Sequence, residues 1–260
     1  KGIALIGIPG TGKSLSAKMV ANLWHLPLIR LDIGAMFGGL VGESEENART
    51  ALRLAEAVAP CVLWIDELEK ALSTGDGDSG TSMRVFGTLL SWMQDKKKPV
   101  FIVATANDIT KLPPELLRRG RFDEIFFLDL PNPTERRAIF DVHLKKRGRD
   151  PENFDLGRLA AASGGYVGAE IEQAVIDAMY LAFSDEASPG REFTDDDIRT
   201  ALERLVPMSR SQRERIDFLR TWVEDGRAAS ASLPEEAEQS DGPSPLQITP
   251  LDFSSDSANS

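Results

Sequence analysis

The stretch GIPGTGKS, Gly7 to Ser14, has residue types and a spacing suited to holding the phosphates of a nucleotide. An anion needs successive backbone N–H groups turned inward, and glycine permits the φ values and close approach that this requires. A helix starting just after the loop adds its positive N-terminal end. In the pattern G-x-x-x-x-G-K-[ST], Lys13 reaches the β and γ oxygens and Ser14 offers a hydroxyl to Mg2+. A glycine-rich turn without function would satisfy the spelling alone. The flanks argue against that. KGIALIGI before the loop reads as a buried strand, and SLSAKMVANLWH after it sets Leu15, Met19, Val20 and Leu23 at helical spacing.

Three further groups carry candidate chemistry. CVLWIDE ends an apolar run in Asp66 and Glu67, at the strand end where ligands gather in open α/β sheets. Asp66 would hold Mg2+ directly or through water, and Glu67 would activate an attacking water. The plainer alternative is a solvated acidic pair after an ordinary strand. FIVATAN delivers Asn107, an amide placed to orient that water or sense the γ-phosphate, although Asn after a strand is commonly a turn residue. LLRRGRFDE sets Arg118, Arg119 and Arg121 around a glycine. They read either as a surface cluster or as an arginine finger for a neighbouring subunit's nucleotide, a device that raises rates by about 10³–10⁵. Position alone does not choose.

Positioning these groups requires alternating strands and helices. Apolar runs predict strands at 3–8, 28–31, 61–65, 100–104 and 125–128, with helices near 13–24, 44–58 and 82–94 and a short turn at 114–119. The expectation is an α/β fold over residues 1–130, a parallel five-stranded sheet with helices on both faces. After Pro131 and Pro133 the pattern is helical only, at 134–146, 155–162, 168–184, 194–206 and 209–225. A small all-helical domain is expected at 131–208, with Thr194 and Asp197 resembling a capping box. A C-terminal helix follows at 209–227, with Ile216, Leu219, Trp222 and Val223 on one face for core packing. Residues 228–260 read as a disordered acidic, Ser/Pro-rich tail, and the Gly/Ser/Asp loop 73–82 as a mobile segment.

Composition bounds the function. Of 260 residues, 42% are hydrophobic and 27% charged, as in soluble globular proteins. The net charge is −11, and six acids fall in the tail without a Lys or Arg; removing them leaves −5 for residues 1–227. No basic stripe offers a general nucleic-acid footprint. The single cysteine, Cys61, excludes an internal disulfide and reads as a small core residue. No apolar run approaches the ~18 residues that span a bilayer. The chain opens at Lys1, directly at the first strand, and is expected to be a fragment.

GIPGTGKS, LWIDE, ATAN, LLRRGRFDE and GYVGAEIEQAV, in that order, resemble the AAA ATPases over roughly residues 1–206. GTGKSLSAK, MFGGLVGESE and WIDELEKAL are most similar to AAA ATPases encoded by cyanobacteria, algal plastids and related bacteria. The resemblance implies a P-loop fold closed by a helical lid, ATP and Mg2+ as cofactors, and a ring, most often hexameric. It implies nucleotide contacts from Pro9, Gly10, Thr11, Gly12, Lys13, Ser14 and Leu15, with Ser14 and Asp66 on the metal. Asp66 and Glu67 match Walker B, and Asn107 matches sensor 1. Arg118 and Arg121 match the finger pair, with Arg119 at the variable position between them. Gly168 and Ala169 match the lid segment that closes on the nucleotide. His143 matches a histidine near the nucleotide, with a structural helix histidine as the equal alternative; His25 has no matching role. The location implied is cytoplasmic, or the plastid stroma for a plastid-encoded chain.

Two departures qualify the resemblance. Relatives that thread polypeptides carry an aromatic before GES in the first pore loop, whereas Leu40 stands there and Phe37 lies three residues earlier. Relatives also grip adenine with residues upstream of the first strand, where this chain starts. The leading expectation is an ATP hydrolase that remodels an unidentified protein partner. Its rival is a slow ATPase acting as a nucleotide-dependent interaction switch. A membrane-linked metalloprotease would need a zinc site such as H-E-x-x-H, and only His25 and His143 are present.

Overall fold

CVLWID forms strand β3 (Cys61–Asp66). Cys61 to Ile65 are all buried, the largest exposure being 4% at Trp64. A strand apolar at five successive positions is covered on both faces, the environment of a parallel-sheet interior. It lies between β2 (Leu28–Asp32) and β4 (Val100–Ala106), and β1 (Gly2–Ile6) flanks β4 on the far side. These three pairings are parallel, with Leu28 opposite Val62, Cys61 opposite Val100 and Gly2 opposite Ile102. β5 (Glu124–Phe127) neighbours β1, and a two-residue strand β6 (Ala229–Ser230) completes the order β2-β3-β4-β1-β5-β6. Among the described residues the sheet therefore has six strands rather than the five expected. The extra one is held by the Ala231 amide donating to the Phe127 carbonyl at 2.9 Å, and two residues carry no periodicity to read.

The computed structural model describes residues 1–33, 43–72, 79–117 and 120–232. Packing separates the described residues into two compact units, one with residues 1–6 and 13–126, the other with residues 7–12 and 127–232. In the first unit, α1 (Lys13–Leu23) packs on β3 and β4 through Ala17 and Ala21. Its bulkier residues Leu15, Met19 and Leu23 are 57–61% exposed. The alanine stripe thus sets the buried face, because small side chains let the helix approach the sheet closely. Helix α2 (Glu43–Val58) packs against α3 (Ser79–Asp95), buries Ala48, Leu52 and Ala55, and accepts the Trp92 indole N–H on Glu56 at 3.0 Å.

The second unit is mostly helical: α4 (Pro133–Lys146), α5 (Leu156–Ala162), α6 (Gly168–Phe183) and α7 (Asp195–Arg204). They enclose a core centred on Phe140, Leu144, Leu159, Ile171 and Ile198, each fully buried. Each start is capped. Asn132 and Glu135 exchange hydrogen bonds around Pro133, Asp155 accepts from the Arg158 amide, and Glu170 accepts from the Val167 amide. The buried Arg136 guanidinium donates to the Ala160 and Pro131 carbonyls, and burial lowers its pKa. The expected helix at 209–225 is interrupted at Gln212, giving α8 (Met208–Ser211) and α9 (Arg213–Glu224). Ile216, Leu219 and Trp222 are buried as the spacing implied, and Arg220 grips Asp129 with two hydrogen bonds of 2.7 and 3.1 Å. No described helix is long and apolar enough to cross a membrane.

At the start of α7, Asp197 accepts from the Thr194 amide at 2.8 Å and makes a bidentate pair with Arg191, both bonds 2.7 Å. The Arg191 guanidinium, followed by the Thr194 bonds, pulls the Asp197 carboxyl down to about 2 against burial. A carboxylate with a depressed folded-state pKa adds stability that is whole above the unfolded value and is lost as pH falls through the folded one. The window here runs from 3.8 down to about 2. Asp197→Asn is expected to cost about 1 kcal/mol at neutral pH, in line with loss of a cap. It should also flatten the acid limb of stability in urea unfolding followed against pH.

Candidate nucleotide site

The end of β3 brings two carboxylates out of the sheet side by side, and each has its own donors. Asp66 keeps a side-chain exposure of 12%. Its Oδ1 accepts from the Thr105 hydroxyl at 2.8 Å and its Oδ2 from Arg30 Nη2 at 2.9 Å. Arg30 reaches across from β2 with its guanidinium 4.9 Å from the centre of the Trp64 ring. Glu67 turns into the left-handed region at φ 51°, unusual for a side chain of this size. Its amide donates to the Thr105 hydroxyl at 3.0 Å. One carboxylate oxygen accepts from Asn107 Nδ2 at 3.2 Å and the other forms an ion pair with Lys70, whose pKa Glu67 raises. The Asn107 amide donates to Glu69 at 3.0 Å.

Glu67, Asn107 and Asp66 are therefore brought together in the first unit. The arrangement holds one carboxylate oriented by an amide, suited to accepting a proton from water. Lys13, at the start of α1, is buried at 6% exposure, and Ser14 beside it is exposed. The metal fit is chemical. Ser14 and Asp66 are hard oxygen donors, and Mg2+ on a nucleotide takes one or two protein oxygens plus phosphate oxygens. Such a site needs no larger protein cluster, and among the described residues no group of three or more His, Cys, Asp or Glu could hold a metal alone.

In the second unit, the loop Gly7–Gly12 is folded by its own chain. The Thr11 hydroxyl donates to the Ile8 carbonyl at 2.9 Å, and Gly10 and Gly12 take φ values of 85° and 96°. The Gly10 carbonyl accepts from the Ala169 amide at 3.2 Å, which ties the loop to the first turn of α6, where Gly168 and Ala169 stand. Pro9 and Leu15 are exposed. His143 on α4 is 17% exposed, with Nδ1 3.4 Å from Glu172, which also takes Lys146 at 2.9 Å. That approach lacks hydrogen-bond geometry. Burial pushes the His143 pKa down, with Glu172 opposing.

Arg121 is half-buried in the first unit. Arg118 and Arg119, Phe37 and Leu40, loop residues 73–78 and the tail from 233 lie outside the described residues. Sequence reasoning passed over Arg30, Lys70 and Thr105. Thr105 had a signal: it stands two residues before Asn107, and residues i and i+2 share one side of a strand.

A methyl on Gly10 would lie 2.7 Å from Val167 Cγ2 and 3.2 Å from Ala169 Cβ, in a left-handed conformation. Gly10→Ala is expected to cost about 1–2 kcal/mol from the backbone alone, with further loss as the loop is pushed off α6. Thermal unfolding and ATP titration of the variant should show lower stability and weaker binding together.

Comparison with known proteins follows the same residues. Residues 3–130 match the family described as ATPase family associated with various cellular activities (AAA). The chain is 53% identical over 236 residues to the protein of Pyropia yezoensis named uncharacterized AAA domain-containing protein ycf46, covering 90% of this chain and 47% of that one. The protein of the same name from Guillardia theta is 50% identical over 235 residues, 89% of this chain and 46% of that one. A cell division cycle protein 48 homolog of Archaeoglobus fulgidus is 35% identical over 210 residues, 79% of this chain and 28% of that one. The chain thus spans about half the length of the ycf46 proteins it matches.

Proposed function

We propose that this chain, which belongs to the AAA family of ATPases, binds ATP with Mg2+ and hydrolyses it to remodel a protein partner within an oligomeric ring, a hexamer by preference. The observation that carries the reading is the Asp66–Glu67 pair at the end of β3, with the Asn107 amide on the Glu67 carboxylate at 3.2 Å. In this assignment, 1–130 is the ATPase subdomain, 131–208 the helical lid and 209–227 a C-terminal helix.

The residues then divide the work. Backbone groups from Pro9 to Gly12 cradle phosphates, with Leu15 beside them, and the Lys13 ammonium neutralises the β and γ oxygens. Ser14 and Asp66 would hold Mg2+, which when bound offsets the charge spread over the transferred phosphoryl group. Glu67 takes the proton of the attacking water, and Asn107 keeps that carboxylate and the water aligned. Arg118, with Arg121 in support, reaches a neighbouring subunit's nucleotide and stabilises the transition state. Gly168 and Ala169 couple the lid to the phosphate loop, and His143 acts from the lid. The compartment we propose is the cytoplasm, or the stroma of a plastid.

One observation favours a second reading, a slow ATPase that serves as a nucleotide-dependent interaction switch. Glu67 is ion-paired to Lys70, a contact that must open before the carboxylate can act as a base.

Glu67→Gln preserves shape and the acceptor for Asn107 but removes the base. The variant is expected to bind ATP with Mg2+ as tightly as the parent and to lose hydrolysis by at least about 100-fold. Parallel ATP titration and phosphate-release assays check this. Undiminished turnover would remove Glu67 from the mechanism.

A further inference from the structure

One buried hydroxyl touches both members of the acidic pair. Thr105 is 1% exposed, on β4 and paired to Leu5 of β1. It sits one step past the last registered pair between β3 and β4, Ile65 with Ala104, which brings it level with the end of β3. Its O–H donates to Asp66 Oδ1, and the same oxygen accepts the Glu67 N–H. A threonine hydroxyl has one donor and two acceptor sites, so a single group fills both roles. No apolar side chain of the same shape can do either.

Each bond answers a specific cost. Asp66 is mostly buried, and a carboxylate oxygen there needs a donor. Glu67 adopts φ 51°, a conformation unfavourable for a non-glycine residue. The Thr105 bond catches the Glu67 amide in that turn. The turn in turn sends the Glu67 carboxylate toward Asn107 and Lys70 rather than along the strand direction.

We propose that Thr105 is a positioning residue for the reaction, fixing the metal-holding Asp66 and the proton-accepting Glu67 relative to each other through one hydroxyl. The inference rests on the ATPase reading of the same site. It extends that reading to a residue that acts through Asp66 and Glu67. Losing an outer-shell partner of a metal ligand typically costs 10–100-fold in metal affinity or activity, and Thr105 supports the base as well.

The test uses three variants of the whole chain, with a fluorescent ADP analogue as probe, titrated once in Mg2+ and once in EDTA. Thr105→Val keeps the shape and removes the hydroxyl. Its affinity in EDTA should match the parent, while the gain in affinity on adding Mg2+ falls about tenfold, and turnover falls with it. Thr105→Ser keeps the hydroxyl and should restore both to within about threefold. Should the valine protein not fold, Thr105→Ala judged against Thr105→Ser makes the same comparison. A valine variant with the parent's Mg2+-dependent gain and turnover overturns the role of Thr105 while leaving the ATPase reading in place. Equal losses in the valine and serine variants also overturn it, because keeping the hydroxyl would then preserve nothing and packing at this buried position would account for both. A parent chain whose affinity for the probe does not respond to Mg2+ overturns both.

Discussion

Two carboxylates emerging together from a buried strand are the constraint on which the site depends. β3 is apolar from Cys61 to Ile65 and covered on both faces there, so Asp66 and Glu67 appear where solvent is only partly available. Adjacent like charges in such a place repel and lose hydration, and each must be matched by donors. The surrounding structure supplies them from three directions: Arg30 from β2, Thr105 and Asn107 from β4 and its end, and Lys70 from the turn that follows β3. Strand order makes this possible. With β3 between β2 and β4, both neighbours end beside the acidic pair. The chemistry therefore follows from topology, since a strand at the sheet edge would have had one such neighbour only.

The same economy governs the phosphate loop. Its conformation is set by two glycines in the left-handed region and by the Thr11 hydroxyl. A backbone bond from the Ala169 amide to the Gly10 carbonyl connects it to the first turn of α6. Movement of that helix is thus felt directly by the loop that the sequence pattern assigns to phosphates. Such coupling is the physical requirement for turning occupancy of a nucleotide site into motion of a helical unit.

Much of this was legible in the sequence, and for identifiable reasons. The first five strands could be read because each is a short apolar run between turn residues, and the helices of the second unit because their apolar spacing and their caps coincide. Asp66, Glu67 and Asn107 were readable because polar residues ending buried strands stand out. What escaped has a common cause. Arg30 and Thr105 meet Asp66 across 36 and 39 residues of chain, and a pairing of that range leaves no local pattern. β6 is too short for any periodicity. Helix α1 is different: Leu15, Met19, Val20 and Leu23 fall at helical spacing, but close approach to the sheet buries Ala17 and Ala21 instead.

The measurement that most directly tests the account is phosphate release from ATP, with Mg2+ and with EDTA, across a range of concentrations of the chain. An ATPase whose site is completed by a neighbour's arginine should turn over only with Mg2+, and its specific activity should rise with protein concentration as subunits assemble. Bound ATP with no Mg2+-dependent turnover at any concentration would contradict the account and leave the phosphate loop as part of a binding module.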